Sequence, residues 1–318
     1  MRVAVLGAGA IGSYVGAALA RGGADVVLVA RGAHLDALRR DGVRVLSPRG
    51  DFQVRTEATD DFAALGDADA VFLGLKAHSL PALAPRIAEH LRPGTPVIAA
   101  QNGVPFWFFR GDVPLGGTVL QSVDPGAAIS AAIPDVIGTV VYCATEIVEP
   151  GVIRHVEGTR FPLAPVDGTS YGPVAALSDA FTAGGLKAPL DRRLREQIWL
   201  KLLGNVAFNP VSALTGATLR ELGGTEEMRA LLRAIMEETA AVGARLDLEL
   251  PVSIDRRLEA GLEVGDHKTS MLQDREAGRP LEHMCMTGAV VELAAMLGVP
   301  VPHTAAVHAC VSQLGGAS

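Results

Sequence analysis

The sequence predicts an α/β protein: a doubly wound, mainly parallel sheet over residues 1–190, then an all-helical domain over residues 191–318. Three observations predict it. A short valine-rich run, Val3 to Leu6, leads into glycines at 7, 9 and 12 and then into helical apolar spacing as far as Ala20. Further apolar runs recur at Asp25 to Val29, Asp69 to Leu75 and Pro96 to Ala99, each beside a helical stretch. From Asp191 onward the period is helical almost throughout, with Gly or Pro breaks near Pro210, Gly223, Pro251, Gly278 and Gly298 to Pro302.

Size and composition narrow the function. A chain of 318 residues holds two substantial cores, and 49% hydrophobic with 20% charged residues excludes disorder. A net charge of -7 with no lysine and arginine run gives no footprint for nucleic acid or an anionic membrane surface, so a small molecule is the expected partner. Cys143, Cys285 and Cys310 are widely spaced and suit a reducing compartment, which points to the cytoplasm. Neither they nor the histidines show metal-ligand spacing, so no metal is expected. Val3 to Ala20 carries no charge and imitates a secretory signal or a short membrane span. Gly7, Gly9, Gly12 and Gly16 argue instead for strand, turn and helix.

That opening segment is the most informative. Gly7, Ala8, Gly9, Ala10, Ile11 and Gly12 spell GAGAIG between a strand and a helix, the context of a Rossmann-type dinucleotide site. The first glycine permits the tight turn, the second lets a pyrophosphate approach the backbone, and the third lets helix and strand pack closely; the helix amino terminus faces the phosphates. The second strand ends Val29, Ala30, Arg31, where an NAD site usually has an acidic residue. Arg31 can be a solvated loop residue, but missing acid plus present base favours NADP(H), with the guanidinium on the 2′-phosphate. Lys76 and the Gln101, Asn102, Gly103 turn fall beyond the carboxyl ends of later strands, where ligands bind in such sheets. A solvated strand end and an Asn-Gly turn chosen for its backbone are the competing readings. From about Gly116 to Val166 the alternation suggests an antiparallel extension over one side of the sheet, closed by a helix near Gly172 to Ala183 and a strand at Lys187 to Leu190. The boundary near residue 190 is expected to form a hinge or cleft that holds substrate.

In the helical half, WLKLLGNVAFNP spaces Lys201, Asn205 and Asn209 four residues apart, a polar line on an otherwise apolar rod. A solvated face would more usually carry Glu, Lys or Arg, because asparagine is a poor interior helix former. Further on, Pro280 is expected in the first turn of a helix through Leu293, with Glu282 in that turn and on one face with Cys285, Ala289 and Leu293. There a glutamate also suits the helix dipole whatever the function. Ser270 reads equally well as the cap of a short helix.

Taken together, GAGAIG, Arg31, Lys76, the QNG turn, KLLGNVAFNP, TSMLQD and a glutamate twelve residues after that serine resemble the ketopantoate reductases (2-dehydropantoate 2-reductases) along the whole chain. The resemblance implies a Rossmann domain, a helical domain and NADPH-dependent reduction of 2-dehydropantoate to pantoate, towards pantothenate and coenzyme A. It implies Lys201 as catalytic residue with Glu282 beside it, and Asn102, Asn205, Asn209 and Ser270 on the substrate. It also implies Lys76, Asn102 and Glu282 near the cofactor. A homodimer is compatible with it. The chain departs from better-known members of the family at Met284 and Thr287, where they carry Asp and Asn, which predicts a more apolar pocket wall and leaves a related 2-ketoacid open as substrate. Phe106, Trp107, Phe108 and Phe109 either line that pocket or pack a local core, the second being favoured. Two alternatives keep the fold: an opine-type or other hydroxyacid dehydrogenase, and a non-catalytic NADP-sensing protein, which would have no use for Lys201.

Overall fold

A computed structural model describes residues 1–166 and 171–315. Its contacts divide the chain into two compact units, Met1–Gln101 with Ala127–Leu194, and Asn102–Gly126 with Arg195–Ser318. The first unit runs β1 (Arg2–Leu6), α1 (Ala10–Arg21), β2 (Asp25–Val29), α2 (Gly32–Asp41), β3 (Val43–Leu46), β4 (Phe52–Val54), β5 (Glu57–Thr59), β6 (Ala70–Leu73), α3 (Leu80–His90), β7 (Val97–Ala99), α4 (Ala128–Ala132), β8 (Val136–Thr139), β9 (Tyr142–Glu149), β10 (Val152–Arg160), β11 (Leu163–Pro165) and α5 (Tyr171–Ala183). Seven strands form the main sheet in the order β11-β8-β7-β6-β1-β2-β5, parallel except for β11. Its central strands are buried apart from Arg2 at the start of β1, as strands covered on both faces must be. The chain leaves β1 towards β2 and returns on its other side at β6, so the order reverses where β1 ends.

A second sheet, β4-β3-β10-β9, lies against α1. The antiparallel extension expected over 116–166 is therefore only partly antiparallel: β8 joins the main sheet in parallel, and β10 pairs in parallel with β3 while forming a hairpin with β9. The strand expected at Lys187 to Leu190 amounts to isolated bridges from Lys187 and Leu190 to Arg160 and Leu163. Two histidines join α1 to its surroundings. Gly151 N–H donates to His34 Nδ1 (3.2 Å), so His34 Nε2 carries the proton and donates to Ser13 Oγ (3.1 Å), which donates in turn to Ala8 O (2.9 Å). Burial pushes the His34 pKa below its usual range, in keeping with that tautomer. The Tyr14 ring stacks on His155 at 4.6 Å, and His155 is held by Gly158 O and the Ser47 hydroxyl.

The second unit is helical, with no strand among the described residues: α6 (Leu194–Thr215), α7 (Leu219–Leu222), α8 (Glu226–Ala244), α9 (Ile254–Leu262), α10 (Ser270–Glu276), a π-helical turn (Met284–Gly288) leading into α11 (Ala289–Leu297), and α12 (Pro302–Gly315). Threonine or serine caps α7 to α10. The break expected at Pro210 is absent, because α6 continues through it to Thr215. Proline removes one helical N–H, but Val206, Ala207, Val211 and Ala213 are all buried around it, and tertiary packing outweighs the local cost. No described helix is long and apolar enough to cross a membrane.

Residues 102–126, assigned by sequence to the first domain, cluster instead with the helices. Arg195 at the start of α6 donates to the carbonyls of Phe108 (2.8 Å) and Arg110 (2.6 Å), and Phe108 packs on Trp199 at 5.8 Å. Glu292 of α11 accepts the amides of Gln121 and Ser122, both at 2.8 Å. The four aromatics from Phe106 to Phe109 are thus core.

Each unit yields a measurable expectation. At Gly12 a β-carbon would overlap the Gly7 carbonyl oxygen, whereas at Gly9 it would meet nothing within 4 Å. Gly12→Ala should cost about 1–3 kcal/mol in denaturant unfolding, while Gly9→Ala leaves the midpoint near wild type. On α8, burial pushes the Glu238 carboxyl up, but the Thr304 hydroxyl and amide and the His303 amide and ring outweigh it and hold the pKa below the usual range. A lowered folded-state value means that this stabilisation is full above the unfolded carboxylate range and disappears as pH falls through the folded value. The stability gap between wild type and Glu238→Gln should accordingly close as urea unfolding is moved from neutral pH into the acid range.

Candidate active site

The glycine turn is built as its spacing demands. Gly7 has φ +92°, and a β-carbon there would stand 2.8 Å from Leu75 N, so only glycine fits. Val29 O at the end of β2 accepts the amides of Gly7 (3.1 Å) and Ala8 (3.0 Å), which turns the chain over the switch point. Helix α1 then begins at Ala10 with Gly9 as its cap, no side-chain cap and no acidic residue in its first turn. Its first amides have no partners within the helix and its dipole favours an anion. The open space beside Gly9 is what a phosphate approaching bare backbone requires. Arg31 is exposed and caps α2 in extended conformation immediately after β2 and Ala30. Lys76 is half-buried just past the end of β6, as expected, and caps a short 3-10 turn at Ala77–Ser79. These groups all belong to the first unit and fit a dinucleotide.

In the second unit the structure joins residues that lie far apart in sequence. Lys201 Nζ donates to Asn102 Oδ1 at 2.8 Å, across 99 positions. Both are half-buried. Asn102 is held through the next two residues of its loop: Gly103 has φ +79°, its β-carbon would overlap the Cys285 carbonyl, and Val104 N–H donates to that same carbonyl at 2.8 Å. Cys285 Sγ donates to Glu282 O at 3.3 Å. Asn209 Nδ2 reaches Met286 Sδ at 3.6 Å, so the far end of the α6 stripe also meets the π-helical turn. Asn205 is half-buried between Lys201 and Asn209 on this line. Lys201, Asn102 and the backbone flanking Glu282 thus form one linked group. It places a lysine nitrogen on the amide oxygen of Asn102, next to a segment carrying the buried Glu282.

Several expectations need correction. Glu282 is buried, but it precedes the π-helical turn instead of lying in the first turn of an α-helix. A π-turn is an irregular opening often found at functional sites, and it sets Cys285 and Met286 against Gly103 and Asn209. Thr269, not Ser270, caps α10, its hydroxyl accepting from Leu272 N at 3.2 Å. Ser270 is exposed as the first residue of that helix. Met284 is 43% exposed, and Thr287 is fully buried with its hydroxyl on His283 O (3.1 Å) and His308 Nδ1 (2.8 Å). Thr287 is consequently a satisfied core contact, not an apolar replacement on a pocket wall. Sequence reading missed Arg195, which no local pattern marks, and named Gly103 and Cys285 without an anchoring role. No group of three or more His, Cys, Asp or Glu suited to a metal occurs among the described residues.

Comparison with known proteins identifies the family. Family models described as "Ketopantoate reductase PanE/ApbA" and "Ketopantoate reductase PanE/ApbA C terminal" match residues 3–168 and 193–315. A 2-dehydropantoate 2-reductase from Mesorhizobium japonicum is 45% identical over 99% of this chain and 98% of its own length. The crystal structure of a PanE/ApbA family ketopantoate reductase from Ralstonia eutropha JMP134 superposes with TM-score 0.86 at 30% identity, covering 99% of this chain and 98% of that one. A D-mandelate dehydrogenase solved with NADH and anilino(oxo)acetate shares the fold at TM-score 0.84 and 20% identity, over 99% of this chain and 98% of its own. With both halves matched in order along nearly its whole length, the chain belongs to the ketopantoate reductase family of pyridine-nucleotide-dependent oxidoreductases.

Proposed function

We propose that this protein reduces 2-dehydropantoate to pantoate with NADPH in the cytoplasm, a step towards pantothenate and coenzyme A. The observation that carries the reading is the hydrogen bond from Lys201 Nζ to Asn102 Oδ1 at 2.8 Å. It orients the lysine nitrogen with a neutral acceptor, and in this reading that nitrogen meets the ketone oxygen. Gly7, Ala8, Gly9, Ala10, Ile11 and Gly12 would cradle the pyrophosphate, Arg31 would take the 2′-phosphate, and Lys76 and Asn102 would flank the cofactor.

NADPH, when bound, supplies a hydride to the ketone carbon. As the carbonyl π pair moves onto oxygen, the Lys201 ammonium stabilises the developing charge and gives that oxygen its proton, later regaining one from solvent. Asn205, Asn209 and Ser270 orient the substrate oxygens with neutral donors and acceptors, while Glu282 acts on the charge and position of the lysine and bounds the cofactor side.

Lys201→Ala should lower kcat for ketopantoate by about 10²–10⁴-fold with NADPH binding retained; wild-type turnover matched by the variant would exclude the assigned role. Arg31→Ala should raise the KM for NADPH about 10- to 100-fold and leave that for NADH near wild type, since only the former carries the 2′-phosphate. Equal effects on both cofactors would mean that Arg31 does not read the phosphate.

A further inference from the structure

The glycine turn is held from behind by a chain of side-chain hydrogen bonds. Ala8 O, inside the turn, accepts from the Ser13 hydroxyl at 2.9 Å, and Ser13 is fully buried. A carbonyl can only accept, so the hydroxyl has committed its proton there and must itself accept from His34 Nε2 at 3.1 Å. The second ring nitrogen, Nδ1, accepts from the Gly151 amide at 3.2 Å. Each bond fixes the sense of the next, which makes a one-way relay from the turn between β9 and β10, through α2 and α1, to the glycine turn. Both ends are firm. Gly151 has φ +82°, a β-carbon there would stand 3.1 Å from the Ala37 side chain of α2, and its own carbonyl accepts from Arg44 N–H at 2.9 Å. Ala8 N–H, at the other end, donates to Val29 O at 3.0 Å.

The consequence lies one bond further on. In a planar trans peptide the carbonyl and the following N–H point in opposite directions. With Ala8 O drawn onto Ser13, the Gly9 N–H is turned away from the relay, and it donates to no described residue. The space beside Gly9 is open, since a β-carbon would meet nothing within 4 Å. A bare amide held in one direction at the start of α1 is what a phosphate oxygen needs. We propose that His34, acting through Ser13, is a positioning residue for the cofactor, fixing the Ala8–Gly9 peptide so that the Gly9 amide meets the pyrophosphate; the proposal rests on the assignment of the pyrophosphate to the glycine turn above. Two neighbours at the start of α2 then have separate tasks. Arg31 reads the 2′-phosphate, which NADPH alone carries, and His34 serves the pyrophosphate, which NADPH and NADH share.

The test measures calorimetric binding of NADPH, of NADH and of adenosine 2′-phosphate, which lacks the pyrophosphate, to the full-length protein. Ser13→Ala and His34→Leu should each weaken NADPH and NADH by the same factor, about 5- to 30-fold, and leave adenosine 2′-phosphate as it was. The double variant should lose no more than either single one, because both changes cut one relay. His34→Gln, which supplies one acceptor and one donor in place of the ring nitrogens, should bind both dinucleotides within about 3-fold of wild type. Undiminished dinucleotide binding in Ser13→Ala or His34→Leu, losses that add in the double variant, or an equal loss for adenosine 2′-phosphate would overturn the assignment and leave the relay as a structural tie. A loss confined to NADPH would overturn it too, since His34 would then act through Arg31. Wild-type protein that binds NADPH no more tightly than adenosine 2′-phosphate would defeat the pyrophosphate reading of the turn itself, a failure visible without any variant.

Discussion

A lysine set into an apolar helix must have its nitrogen oriented. The hydrogen bond from Lys201 to Asn102 meets that constraint, with the amide oxygen accepting from the nitrogen. The requirement propagates outward. Asn102 lies on a loop 99 residues from its partner, so that loop needs anchors of its own. Gly103 and Val104 fasten it to the π-helical turn, and Arg195 and the Phe108–Trp199 contact fasten the rest of the loop to α6. Those contacts, with the Glu292 carboxyl on the amides of Gln121 and Ser122, fold residues 102–126 with the helices.

The first unit is governed by close approach of backbones. Gly12 lets α1 come against the Gly7 carbonyl, and that contact fixes where the helix amino terminus points. Consecutive residues of α1, Ser13 and Tyr14, then engage His34 and His155. His34 accepts from the Gly151 amide at one nitrogen and donates to Ser13 at the other, a demand that only the neutral ring meets. The two imidazoles connect the glycine turn to α2 and to the second sheet, so the helix that carries Arg31 at its start is positioned by the same bonds that stabilise the turn.

The departures from the family pattern acquire a different meaning in three dimensions. Loss of the acidic and amide residues at 284 and 287 reads in one dimension as a change of pocket polarity, yet Thr287 bonds the half-buried His308 and Met284 is exposed. Gly204 and Arg257 look unrelated in sequence, and the structure shows them to be one packing unit beside Lys201.

Sequence alone determined what depends on short-range geometry. Strand, turn and helix at GAGAIG arise from glycine sterics over a few residues; the parallel strands arise from apolar runs; the line of Lys201, Asn205 and Asn209 arises from helical periodicity. Tertiary structure decided everything that depends on long-range packing or on the competition between neighbouring caps. Burial on all sides carried α6 through Pro210, where local propensity predicted a stop. Thr269 outcompeted Ser270 for the cap, because the residue just outside a helix is the one whose hydroxyl can reach the third amide along. The bond between Asn102 and Lys201, the π-turn after Glu282 and the seat of Arg257 on Gly204 each join segments dozens of residues apart. A one-dimensional pattern names such residues, but only the packed chain brings them together.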